Sequence, residues 1–174
     1  MMPPIAIERI GKDLQPADLD GLVDLLFDAV DDNAGVSFMP GLTVADAKAW
    51  WRSVIEPERA IVLVARDGKR VVGTVQIQPS WAPNQAHRGD VAKLIVHRGA
   101  RRHGIGRALM EVLERTAHAT GYTLLLLDTR KDDHPERLYS SMGWTRVGEV
   151  PDFALNPDGT MCTTVFYYKR LSAG

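Results

Sequence analysis

Asp90-Val91-Ala92-Lys93-Leu94-Ile95-Val96-His97-Arg98-Gly99-Ala100-Arg101-Arg102-His103-Gly104-Ile105-Gly106-Arg107 is the stretch that decides the fold. Its first part, to Val96, is rich in β-formers. A basic, glycine-bearing turn follows. A helix then runs from about Gly104 to Thr120, with Ile105, Ala108, Leu109, Val112, Leu113 and Thr116 at helical spacing and Gly121 as its stop. The next run, Thr123 to Leu127, is apolar without alternation, as expected of a central strand covered on both faces. A strand, a helix and a second strand in this order predict a right-handed parallel crossover.

On the N-terminal side, Pro4 to Ile10 reads as a short strand. A helix follows from Pro16, with Asp18 in its first turn and Leu19, Leu22, Val23, Leu26 and Phe27 on one face, fading near Asp31 to Gly35. A second helix starts at Thr43, with Asp46 three residues on in a capping-box arrangement, and stops before Pro57. Ala60 to Ala65 and Val71 to Gln78 read as strands joined at Asp67-Gly68, and Pro79 to Arg88 as a loop. On the C-terminal side a short helix, about Pro135 to Met142, precedes strands Thr145 to Val150 and Thr163 to Lys169, which flank a loop with Asn156-Pro157-Asp158-Gly159. The order is strand, helix, helix, three strands, helix, strand, helix, two strands. That predicts a mixed α/β sheet, not a doubly wound parallel one.

Composition narrows the class without naming a function. The 174 residues suit one domain, spanning 1–174, and a chain of this length buries roughly 70% of its unfolded surface without needing a disulfide or metal. Hydrophobic residues are 45% and charged residues 25%, which is globular composition. With 21 basic and 22 acidic residues, the near-zero net charge predicts neither nucleic acid nor a membrane surface as partner. One cysteine, Cys162, excludes an internal disulfide, and the five histidines form no metal-spaced pattern. Met1 to Ile5 lacks the basic and apolar segments of a secretion signal, so the expected location is cytoplasmic.

Against that neutral background, Arg98, Arg101, Arg102 and Arg107 crowd beside a helix N-terminus. The first N–H groups of a helix lack internal partners and sit at the positive end of its dipole, which makes a pyrophosphate site. Gly104 and Gly106 remove Cβ atoms where backbone would approach phosphate oxygens, and Arg101, Arg102 and Arg107 add charged donors. A nucleotide P-loop would need Gly-Lys-Ser/Thr, which is absent. A dinucleotide fingerprint would need a third glycine where Leu109 stands.

Arg101-x-x-Gly104-x-Gly106 resembles the R/Q-x-x-G-x-G/A signature of the GNAT superfamily of N-acetyltransferases. The order of elements is also similar over nearly the whole chain. Asn33-Ala34-Gly35-Val36-Ser37-Phe38-Met39, Leu127-Asp128-Thr129, Thr145 to Pro151 and Asn156-Pro157-Asp158-Gly159 resemble the tabtoxin-resistance type within it. The resemblance implies a mostly antiparallel sheet of about seven strands and four helices. It also implies a V-shaped split between two parallel strands that takes acetyl-coenzyme A (acetyl-CoA). The binding residues it implies are Arg101, Arg102, His103, Gly104, Ile105, Gly106 and Arg107 in the turn, with Leu94, Ile95 and Val96 beside the pantetheine arm. One backbone N–H of that strand would face the thioester carbonyl. No metal is implied, and the partner would be a small-molecule amine, with the protein a monomer or homodimer.

Arg137-Leu138-Tyr139-Ser140-Ser141-Met142-Gly143-Trp144 resembles the family's L-Y-x-x-x-G-F motif, which implies that Tyr139 donates a proton to the departing thiolate. The plainer alternative is a packed helix tyrosine. Asp132 and Pro135 stand where the family often has Asn and Ala. An alkylamine of pKa near 10 must lose a proton before it attacks. Asp90 and Asp128 are the candidate bases, against solvated or capping roles. Asp31, Asp32 and Asn33 read as a solvated helix end or as contacts to a cationic amine. Pro151 to Gly159 reads as the border of the acceptor pocket or as a plain turn. Trp50 and Trp51 read as core or groove lining. The alternatives in function are a non-catalytic acyl-CoA sensor, a nucleotide-binding protein, and an acetyltransferase of protein N-termini or lysines.

Overall fold

The computed structural model describes residues 5–58 and 60–172. Strands β1 (Ala6–Ile10), β2 (Ile61–Asp67), β3 (Arg70–Pro79), β4 (Arg88–Val96), β5 (Leu124–Arg130), β6 (Thr145–Leu155) and β7 (Met161–Arg170) form one sheet in the order β1-β2-β3-β4-β5-β7-β6. The helices are α1 (Pro16–Asp31), α2 (Val44–Ile55), α3 (Ile105–Ala119) and α4 (His134–Ser141). Every strand pairing is antiparallel except β4 with β5. The expected mixed sheet, seven strands and four helices are all present. Pro4, expected at the start of β1, lies outside the described residues.

Local chemistry explains the boundaries. Pro16 opens α1, where a missing N–H costs nothing. Thr43 caps α2 by accepting from the Asp46 N–H at 3.1 Å. Gly68 takes a φ of 58° in the two-residue turn between β2 and β3, a conformation that disfavours a Cβ. The C-terminal hairpin differs from expectation. Pro151 to Leu155 continue β6, and the register shifts between Val150 and Ala154. A bulge therefore absorbs Pro151, which cannot donate to the ladder, and only Asn156 to Thr160 remain as the turn.

Each face of the sheet carries its own core. Leu109, Met110, Leu113 and Ala117 of α3 pack on Leu63, Val75, Ile77, Val91, Leu125 and Val165. On the other face, Leu22, Leu26, Trp51 and Ile55 of α1 and α2 cover Val62, Val64 and Ile95. Trp51 is fully buried and its indole N–H donates to Leu22 O at 3.1 Å. Strand residues alternate between the two cores, as the pleat requires.

The parallel pairing is short. It holds for Arg88↔Leu124, Gly89↔Leu125 and Asp90↔Leu126, after which β4 runs on to Val96 and β5 to Arg130 without pairing to each other. Each diverging half stays bonded to its outer neighbour, β4 to β3 and β5 to β7. In β4, Lys93 and Leu94 face only Val75, between the pairs Gln76↔Ala92 and Thr74↔Ile95. This bulge puts Lys93 at a φ of 55°, an uncommon conformation for a side chain with a Cβ. The fork between β4 and β5 is the V-shaped split.

Candidate active site

The fork opens into a cleft of about 480 Å³. One wall is Leu94, Ile95 and Val96 of β4, followed by Ala100, Arg101, Arg102, Gly104, Ile105, Gly106 and Arg107 of the turn. The opposite wall brings Arg130 from the end of β5 and Asp133, His134, Pro135 and Leu138 from α4. Ala29, Asp32, Ala34 and Val36 close the side toward α1. Two other hollows of comparable size lie away from the turn.

The turn offers donors in sequence. Ala100 N–H bonds back to His97 O, and the α3 ladder begins with Ala108 N–H to Gly104 O. From Arg101 to Arg107 no backbone N–H finds an acceptor among the described residues. Unpaired donors at a helix N-terminus favour an anion. Gly104 reaches a φ of 74°, while Gly106 has ordinary helical backbone. A Cβ on Gly106 would meet Leu138 at 3.6 Å and Val96 at 4.0 Å, both cleft-lining residues. It would clash with nothing in the protein and would occupy the cleft.

The arginines divide their work. Arg98 donates through its guanidinium and its backbone N–H to Asp28, and through Nη2 to Asp31 at 2.6 Å. Arg101 Nη1 lies 2.6 Å from Asp32. These two fasten the turn to the end of α1, so much of the positive charge counted in the sequence is neutralised. Burial pushes the Asp28 carboxyl up, but the Arg98 backbone and side-chain donors, with His97, outweigh it and hold it below the usual carboxylate range. Arg107 donates to Ser141 Oγ at 2.7 Å, and Arg102 lines the cleft at a φ of 66°. His103 does not line the cleft; its Nδ1 lies 3.3 Å from Ala100 O.

The catalytic candidates lie around the fork but not in the cleft lining. Asp90 sits at the last parallel pair, where Arg88 Nη1 holds its Oδ1 at 2.6 Å. Asp128, two residues past the fork on the same face of β5, is exposed and accepts from Thr164 Oγ1 at 3.2 Å. Tyr139 is 5% exposed, its ring packed 6.0 Å from Trp144 and 5.9 Å from Tyr167. Burial first, then the Asp128 and Asp133 carboxylates, push its phenol well above the usual tyrosine range. It therefore stays protonated, and its hydroxyl makes no hydrogen bond to another described residue.

Several participants have no motif in the sequence. Arg130 Nη1 donates to Asn33 O at 2.7 Å and to Asn156 Oδ1 at 2.9 Å, while Asn33 and Asp158 exchange two hydrogen bonds of 3.0 Å. Asn33 and the Asn156 to Gly159 turn, 125 residues apart at their contact, are thus tied to Arg130 of the cleft wall, while Asn33, Pro157 and Asp158 line a neighbouring hollow. Asp31, Asp32 and Asn33 are neither free nor simply solvated. One signal was available: Asp28, Asp31 and Asp32 crowd a helix C-terminus, where acids oppose the dipole and call for external cations.

Comparison with known proteins agrees with the geometry. Residues 26–144 match the model of the acetyltransferase (GNAT) family. The chain is 30% identical over 132 residues to an uncharacterised N-acetyltransferase in the hisH-hisA intergenic region of Azospirillum brasilense, covering 75% of this chain and 78% of that protein. An N-acetyltransferase from Staphylococcus aureus Mu50 superposes with a TM-score of 0.84 at 18% identity, over 98% of this chain and 100% of that one. The putative acetyltransferase yncA of Salmonella typhimurium, solved with its cofactor acetyl-CoA, superposes with a TM-score of 0.82 at 18% identity, over 99% and 96%. A forked mixed sheet, an open helix N-terminus and a family match that spans the fork and that helix lead to one conclusion: the chain belongs to the GNAT family of acetyltransferases.

Proposed function

We propose that the protein transfers the acetyl group of acetyl-CoA to a primary amine of a small molecule by direct attack. The observation that carries this reading is the run of unpaired N–H groups from Arg101 to Arg107 at the mouth of the fork. Those groups, with Arg102 and Arg107, bind the pyrophosphate. Leu94 to Val96 lie along the pantetheine arm, where β4 has lost its parallel partner and has backbone groups free to pair.

Positioning two reactants in one cleft is the main catalytic contribution. The amine must shed a proton, and Asp128 is the better placed base. Asp90 has one oxygen held by Arg88, while Asp128 stands beyond the fork, close enough for its charge to act on both Lys93 and Tyr139. As the amine attacks, the C–N bond forms, the C–S bond breaks and the thiolate leaves. A thiol of pKa about 8.5 is a fair leaving group. The raised phenol of Tyr139 stabilises the leaving sulfur as a hydrogen-bond donor, since full proton transfer would be uphill. No covalent enzyme intermediate is required, and Cys162 does not line the cleft.

Release of free thiol from acetyl-CoA over a panel of amines tests the reading. Amine-dependent release is the expected result. Tight acetyl-CoA binding with no release for any amine would leave a sensor instead. Calorimetry that finds ATP or NAD bound more tightly than acetyl-CoA would overturn the cofactor assignment.

A further inference from the structure

Six lysine and arginine side chains are half-buried among the described residues: Lys48, Arg66, Arg88, Lys93, Arg130 and Lys169. Five of them have a carboxylate within 3.2 Å, namely Asp20, Asp18, Asp90, Asp133 and Glu114 respectively. Lys93 has none. Its ammonium donates to Ser37 Oγ at 3.1 Å and lies 5.7 and 5.5 Å from the ring centroids of Phe38 and Trp50. Cation–π contacts offset only part of the cost of burying the charge. They do not replace the hydrogen-bonded counter-ion that a desolvated charge calls for.

The position is built, and built with strain. Lys93 is the bulged residue of β4 at a φ of 55°, and its partner Ser37 has a φ of 69°. Two residues in the left-handed region meet through one hydrogen bond, and backbone strain of this kind gathers at functional sites. The chain neighbours Leu94 and Val36 both line the cleft, so the Lys93–Ser37 contact joins two segments of the cleft wall, although Lys93 and Ser37 are not themselves among the lining residues. Asp128 lies on the same side, near enough that its charge favours protonation of Lys93 against the opposing effect of burial.

We infer that Lys93 is a specificity-determining residue that binds an acid group of the acceptor, so that the amine substrate is a small zwitterion with a carboxylate or similar oxyacid near its amine. This rests on the acetyltransferase reading above and names the acceptor class for the same site. The arrangement matches such a molecule at both ends: Lys93 takes the acid group, and Asp128 faces the ammonium and then receives its proton. Phe38 and Trp50, packed edge to face at 5.0 Å, form an apolar wall for the remaining carbon skeleton.

The test compares α- and ω-amino acids and aminoalkylphosphonates with counterparts that keep the amine but lack the acid group (carboxamides or plain alkylamines). Binding is measured by calorimetry and turnover by thiol release, in the wild type, Lys93→Met and Lys93→Arg. The expected result is at least one acid-bearing amine favoured about tenfold or more over its counterpart without the acid group, chiefly in KM. That ratio should collapse toward one in Lys93→Met and return in part in Lys93→Arg, with melting temperatures confirming that each variant folds. Comparing ratios between variants cancels differences in amine basicity. If no acid-bearing amine outperforms its counterpart, or Lys93→Met lowers both members alike, the inference is wrong although transfer to amines stands. If acids bind through Lys93 but no amine releases thiol, the anion subsite stands and the transferase reading falls.

Discussion

Tyr139 and Asp128 are the residues where chemistry and packing compete. The buried Tyr139 ring joins Trp144 and Tyr167 in the core beneath α3, which alone explains why an aromatic residue stands there. Only its hydroxyl, with no hydrogen-bond partner among the described residues, remains for catalysis. Tyr139→Phe keeps the ring and so separates the two roles. We expect turnover to fall about tenfold or more while acetyl-CoA affinity, measured by calorimetry, changes little. An unchanged turnover would leave Tyr139 a packing residue. Asp128→Asn keeps the shape and the Thr164 contact but removes the carboxylate proposed as the base. Turnover should fall about 10²-fold at neutral pH and recover in part as rising pH deprotonates the free amine. A loss that does not depend on pH would point to positioning instead.

At the scale of elements, the turn between β4 and α3 is presented by one helix and clasped by another. Gly106 tests the presentation. A Cβ there would meet only ordinary contacts at Leu138 and Val96, and the γ-methyls of Gly106→Val would reach further toward the cleft, so the variant should still fold, as its melting temperature would show. It should weaken acetyl-CoA binding about tenfold or more by filling the cleft. Asp28 tests the clasp. Its carboxyl is held below the usual range in the folded protein, so it binds its proton less readily there than in the unfolded chain. The stability it contributes is full above the unfolded value of about 3.9 and is lost as pH falls through the lower folded value. Denaturant unfolding across pH should show Asp28→Asn less stable than wild type at neutral pH, with the gap closing below about pH 4. A gap that stays constant with pH would show that Arg98 does not act through the ionised carboxylate.

For the whole molecule, both cores border the cleft at one seam. The α3 core carries the helix whose N-terminus faces the cleft, and the α1–α2 core carries the acids that hold the turn. A ligand bound across this seam binds the folded chain alone. Acetyl-CoA at a hundred times its dissociation constant should therefore stabilise the fold by about 2.7 kcal/mol, read as a rise in melting temperature. Gly106→Val should show a smaller rise at the same concentration. An equal rise in both would place the ligand elsewhere.

The order of elements, the parallel crossover at the turn and the open helix N-terminus at residues 101–107 were legible in the sequence, because they depend on local periodicity and on which glycine or proline stands where. The resemblance of its motifs to the family also marked Tyr139, Asp90 and Asp128 as candidates, though not how they stand. Only the tertiary structure decided that Arg98 and Arg101 spend their charge on α1, that Arg88 occupies Asp90, that Asn33 meets Asp158, and that Lys93 stands half-buried without a carboxylate. Each of these depends on contacts between residues distant in sequence, apart from the register-set pairing of Arg88 with Asp90. The bulge that turns Lys93 toward Ser37 is a mismatch between two strands, and no single strand encodes it. Local sequence determines which elements form and where a helix can receive an anion. Which charges remain free to act is settled only when the chain closes on itself and the ion pairs form.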